Sequence, residues 1–267
     1  MGYRLDTISQ PTLEYYTDFP ERYETQIGVQ IEDGAQGGSI NNMALSSLSV
    51  NDGAEDFVFR GVHVNRTTII SGAEDIKFSG CYFTSEDGYS EAFRFPTSNA
   101  RNIIITNSIL DAGWSMTNRN QIGGSTAGCL IKNCYIGGYG SISNALYLNN
   151  VAKSIHRGRN SVAYNNVILG GSTANSDGNL FGLNYDEVFG EVADRSFDLR
   201  YTLAPNSPAK GAGLGGVDCG PFGGPVPYRL SGVYDRPLIY QLNMPVEVPV
   251  GQNMNVNVRV KTINDGN

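Results

Sequence analysis

One nine-residue pattern returns five times along the middle of the chain. It reads DFVFRGVHV (56–64), DIKFSGCYF (75–83), NIIITNSIL (102–110), GCLIKNCYI (128–136) and SVAYNNVIL (161–169). Apolar residues alternate, a Gly or Asn interrupts, and alternation resumes. Phe57, Ile76, Ile103, Cys129 and Val162 take one equivalent position, and Phe59, Phe78, Ile105, Ile131 and Tyr164 the next. Gly61, Gly80, Asn107, Asn133 and Asn166 stand at the break. Alternation with period two puts one set of side chains on one face of a strand. A Gly or Asn at a fixed place supplies a bend with positive φ.

A further short strand precedes each unit, at 45–50, 67–70, 92–95, 120–124 and 145–148, in a spacing of 22, 25, 27 and 26 residues between Leu48, Ile70, Phe95, Ile122 and Leu148. Three short strands and three turns fill about 25 residues, which leaves no room for a helix. One such unit cannot bury its apolar face alone, whereas stacked units share a continuous core. The expected fold class is therefore all-β: a right-handed parallel β-helix, or solenoid, with an N-terminal cap and a C-terminal β extension. Composition agrees. Gly contributes 33 residues, Asn 26, and charged residues only 17% of the 267-residue chain, which suits turns better than surface helices.

These repeats resemble those of the parallel β-helix proteins of the pectate-lyase-like superfamily, over roughly residues 45–228. The segment LRYTLAPNSPAKGAGLGGVDCGPFGG (199–224) looks like the closing motif of many secreted β-helix proteins of polysaccharide-degrading bacteria, with Cys219 in place of the usual apolar residue. The resemblance implies the fold. Its members include lyases, hydrolases, adhesins, tailspikes and inert scaffolds, so function must come from the site.

The chain divides by this reading into a capping segment (1–44), the β-helix (45–228) and a C-terminal β-hairpin or start of a further domain (229–267). The net charge of −7 argues against nucleic acid, which needs a basic field. No stretch reaches the length of a membrane span. The N-terminus has no apolar leader. An extracellular or cell-surface setting is expected from the resemblance, with a virion as the alternative. The four cysteines lack metal-ligand spacing and are expected to be free and buried.

Three constellations carry chemistry. Glu55, Asp56, Glu74 and Asp75 occupy equivalent places in adjacent units; they are either a calcium site or solvated turn residues, with Arg101 compensating Glu74. Calcium is the one cofactor considered. The connection 151–160 gathers Lys153, His156, Arg157 and Arg159, and β-elimination of uronic-acid polymers needs such a base. The loops at 84–91, 111–120 and 137–143 are expected to border a glycan groove along the third-strand face. Arg94, Trp114, Tyr139, Tyr147, Asp87 and Glu91 are its candidates, with Arg94 and Tyr147 pointing outward beside inward Leu146 and Leu148. Trp114 either stacks on a sugar or folds back over the stack. His63 is expected at the surface. No Asp-Asp, Gly-His-Gly and Arg-x-Lys set of the polygalacturonase kind occurs. The expected function is a non-catalytic surface module, glycan-binding or spacer, with polysaccharide or other domains of a larger protein as partners. The alternatives are a polysaccharide lyase, ahead of a glycoside hydrolase, and a tailspike-like virion protein.

Overall fold

The computed structural model describes residues 3–6, 28–66, 68–84, 93–111, 122–156, 158–171, 176–192, 195, 198–229, 238–243 and 257–261. It is all-β with almost no helix. Among the described residues eighteen strands join one large, mostly parallel sheet, and Leu238–Asn243 with Asn257–Lys261 form a separate antiparallel pair. The parallel pairing is compatible with a β-helix.

The pairings fall into three columns. Column A runs from Gln36–Asn41 through Glu55–Arg60 and Lys77–Ser79 to Val162–Tyr164. Column B holds Ala44–Leu45, His63–Val64, Tyr82–Thr84, Ile109–Asp111, Val151–Ile155, Val167–Ile168 and Leu180–Phe181. Column C begins with Gly28–Ile31, Ser47–Val50 and Thr68–Ile70. Phe93–Thr106 and Ile122–Lys132 pass from C into A, and Tyr135–Leu148 passes through all three columns. The parallel pairing thus already includes residues 28–41, inside the segment expected only to cap the stack. Tyr3–Asp6 pairs antiparallel on the first strand of column C.

Positive φ recurs where the pattern breaks, at Asn42, Gly61, Gly80, Asn107, Asn133, Asn149 and Asn165, between 46° and 62°. These are the residues that tolerate a left-handed bend. A second such set, which the pattern does not flag, precedes the column A strands at Asp56, Asp75, Asn102, Gly128, Asn144 and Asn160.

The repeat length is not constant. In column A, Phe59 pairs with Phe78, 19 residues on; Ile105 follows after 27, Ile131 after 26, Tyr147 after 16 and Ala163 after another 16. This corrects the expected register of the last units. Residues 145–148 belong to column A, and 137–143, expected as a loop, is strand. Tyr147 is fully buried rather than outward, and its Oη accepts the Ile142 N–H at 3.0 Å. Ala163 faces the core, while Val162 and Tyr164 are 40% and 44% exposed. A slip of one residue turns a whole strand over. The other expected inward positions, Phe57, Phe59, Ile76, Phe78, Ile103, Ile105, Cys129 and Ile131, are buried. Phe59 and Phe78 stack at 4.7 Å near the start of the core, and Ala152 and Ala163 fill it at the other end.

The side chains of Asn107 and Asn133 bond away from the stack, to Pro221 O, Gly223 O and Asp218 O. The adjoining column of buried polar residues bonds along it. Cys81 N–H donates to Ser108 Oγ (3.1 Å), Cys134 N–H to Asn150 Oδ1 (2.8 Å), Asn150 N–H to Asn166 Oδ1 (2.9 Å) and Asn166 N–H to Asn179 Oδ1 (3.0 Å). Each side chain satisfies a backbone donor that the turn leaves without a strand partner. Cys81, Cys129, Cys134 and Cys219 are free and buried, and burial pushes each thiol up to about 12.

Beyond Phe181 the chain leaves the columns, makes the helical turns Tyr185–Phe189 and Leu199–Tyr201, and returns along the outside of column B. The bend asparagines hold it there. Asn107 Nδ2 donates to Pro221 O and Gly223 O, Asn133 Nδ2 to Asp218 O, and Asn165 Nδ2 to Ala212 O; Asn149 Oδ1 accepts from Leu214 N–H. The closing motif is thus a flank cover. It buries a second apolar cluster of Ile109, Tyr135, Val151 and Val167 under Val188, Phe189, Tyr201 and Cys219.

His63 lies between Ala44 and Tyr82 in the outer row of column B and meets Tyr82 edge-on at 4.8 Å. It is half-buried, not a surface residue, and burial lowers its pKa from 6.5 to about 4. Between those values the unfolded chain binds a proton that the folded chain refuses. Stability therefore falls as pH drops from 6.5 towards 4, by about 3 kcal/mol in all. Urea midpoints at neutral pH and at pH near 4 should differ less for His63→Phe than for the parent; equal differences would show that His63 does not titrate in this window.

Candidate functional site

The columns bring together residues that are far apart in sequence. Thr84 pairs with Asp111 at the end of column B. One residue past the pairs Leu110–Ile136 and Ile136–Ala152 stand Gly137 and Lys153. Asp111, Gly137 and Lys153 thus form one outward row. The space at Gly137 is tight: a Cβ would come within 3.1 Å of Asp111 Oδ1 and of the Tyr135 ring, so one of them would have to shift.

The flank cover completes the site. Tyr82 Oη donates to Asp111 Oδ2 at 3.1 Å, and the Tyr201 hydroxyl also bonds Asp111. Tyr135 stacks on Tyr201 with ring centres 4.1 Å apart. Tyr185 packs on Phe189 at 4.7 Å and stays half-buried. Burial, with the Asp111 charge second, raises Tyr82, Tyr135 and Tyr201 well above the usual phenol range and Tyr185 to about 12. These phenols remain hydrogen-bond donors at ordinary pH. Lys153 is half-buried; burial lowers its pKa, and the Asp111 carboxylate opposes that. A second carboxylate, Asp198, is buried nearby and accepts from Tyr228 Oη at 3.5 Å.

Lys153 is therefore not in a basic loop. It lies on the strand Val151–Ile155, and the same row, at Thr84 and Asp111, opens the two segments expected to border a groove. His156 and Arg159 are exposed past that strand; Asn144 N–H donates to Arg159 O. Arg94 is exposed on column C between buried Phe93 and Phe95, as expected. Asp87, Glu91, Trp114, Arg157 and the side chain of Tyr139 lie outside the described residues. Asp111, Tyr82, Tyr135, Tyr185 and Tyr201 carry no motif that marks them in the sequence. Their common signal is only that Tyr82, Ile109 and Tyr135 follow each break by two residues.

The four acidic residues lie elsewhere, along the column A strands. Glu55 and Glu74 bridge, and Arg101 pairs with Glu74 at 3.2 Å. Asp56 and Asp75 have positive φ, and Asn102 Nδ2 bonds Asp75 Oδ1. Among the described residues no three His, Cys, Asp or Glu side chains gather as a metal site, and no helix is long and apolar enough to cross a membrane.

No known protein family, curated protein or solved structure matches the chain.

Proposed function

We propose that the chain is a right-handed parallel β-helix module of the pectate-lyase-like kind that binds a glycan at the Asp111–Lys153 row, in a secreted or cell-surface protein. One observation carries this reading. A carboxylate and an ammonium stand apart across a glycine, beside the half-buried ring of Tyr185, at the foot of two connecting segments. Sugar hydroxyls are bound by such mixed donors and acceptors with a ring face beside them. A screen against immobilised glycans tests it. Asp111→Asn and Lys153→Ala should each weaken binding by roughly tenfold or more. The reading fails if the parent binds no glycan, or if both variants bind as the parent does.

A second reading, β-elimination, rests on the lowered pKa of Lys153. A base is most effective when its pKa approaches the working pH. Ultraviolet detection of unsaturated uronate from acidic polysaccharides separates the two: product formed by the parent and lost in Lys153→Ala makes the module a lyase.

A further inference from the structure

The outer face of column A is apolar over its last repeats. Ile104, Leu130, Leu146 and Val162 lie in one register row, with Leu148 and Tyr164 next to them. Val162 and Tyr164, two of the four most exposed large apolar residues among those described, thus lie on one surface. Contiguous exposed apolar surface of this kind marks an interface.

The charges at the two ends of this face indicate the occupant. One repeat before Ile104 the row holds exposed Lys77. One repeat after Tyr164 stands exposed Asp177: Asn165 N–H donates to Asp177 O just as Asn149 N–H donates to Tyr164 O. Along the stack the face thus runs from a basic end to an acidic one, with Asp177 in the row of Leu148 and Tyr164, two residues along the strand from the row of Lys77. A two-fold axis along the strands, between Leu130 and Leu146, turns this sequence onto itself in reverse. It sets Ile104 against Val162 of the second copy, Leu130 against Leu146, and Lys77 towards Asp177. Lys132 meets Leu148, where its long stem can pack while its head reaches solvent. An isologous contact needs this self-complementarity.

We propose that column A is the interface of a homodimer with its two stacks antiparallel. Sedimentation velocity on the full chain over a wide concentration range tests it. The parent should dimerise, and Leu146→Asp, an outward change, should give a monomer with an unchanged circular-dichroism melt. Lys77→Glu and Asp177→Lys should each weaken the dimer by about tenfold, and the double charge reversal should restore it. A parent that is monomeric at every concentration overturns the proposal. So does an oligomer that Leu146→Asp leaves intact, or a double variant no tighter than the singles.

Discussion

Replacing Ile105 by Asp is expected to abolish the cooperative thermal transition. Ile105 is fully buried, between Phe78 of the preceding repeat and Ile131 of the next. The substitution removes an isoleucine from a packed site, which alone costs about 2–5 kcal/mol. It also leaves a carboxylate without a partner, costing several kcal/mol more even if the group is neutralised. Against a total stability of about 5–15 kcal/mol, the sum removes the fold. A stacked chain adds vulnerability, because each repeat is held by its neighbours on both sides. The next residue supplies the control. Thr106 is partly exposed, and its Oγ1 reaches only Phe78 O at 3.4 Å, so Thr106→Asp should cost roughly 1 kcal/mol or less. A circular-dichroism melt of Ile105→Asp within a few degrees of the parent would mean that this position does not face a shared core.

The first four repeats are legible in the sequence because each carries at least one polar or charged outward residue, Arg60, Lys77, Thr106 and Lys132, beside a buried apolar one. Arg60, Lys77 and Ser79 flank buried Phe59 and Phe78, so alternation and burial agree. The last two mislead for the opposite reason. In NALYLNNVA both Leu residues face outward and Tyr147 faces the core. Hydrophobicity does not distinguish the two faces when each is apolar, and the register then rests on the turn. There the sequence offers paired asparagines, Asn149–Asn150 and Asn165–Asn166. The first of each pair takes the left-handed bend and the second the internal ladder. Nothing in the residue type separates these roles. Shortening the repeat from 26 to 16 residues also defeats any search for a constant period.

The Asp111–Lys153 row is hidden by distance. Its residues become neighbours only through the 26- and 16-residue steps of column B. The phenols that close it come partly from the flank cover, whose closing motif resembles the last turn of a stack. What that motif does instead follows from the Asn column: its amides and carbonyls face outward at the bend, and the cover segment satisfies them. The exposed apolar face of column A is the other side of the same register slip. A register that turns Leu146 and Val162 inward removes the surface that needs a partner.

Asn166→Leu should lower stability by about 3–5 kcal/mol at nearly unchanged side-chain volume, for reasons that do not involve packing. The Asn166 side chain accepts from Asn150 N–H and Nδ2, and donates through Nδ2 to Tyr147 O, Tyr164 O and Asn179 Oδ1. Leucine ends all of these contacts and leaves buried backbone groups on two repeats without partners, at about 1–3 kcal/mol each. For a domain of this size the melting temperature should fall by roughly 10–15 °C. Asn165→Gly, one residue earlier, should change it little, because glycine reaches the φ of 53° at no steric cost and only the 3.4 Å bond to Ala212 O is lost. The contrast between neighbours is the test. Urea unfolding that ranks Asn165→Gly as the more damaging would restore Asn166 to the bend and shift the final repeats by one residue. The reverse ranking, with Asn166→Leu the more damaging, would establish that an internal line of asparagine side chains holds these repeats in register, since the apolar pattern alone permits both registers.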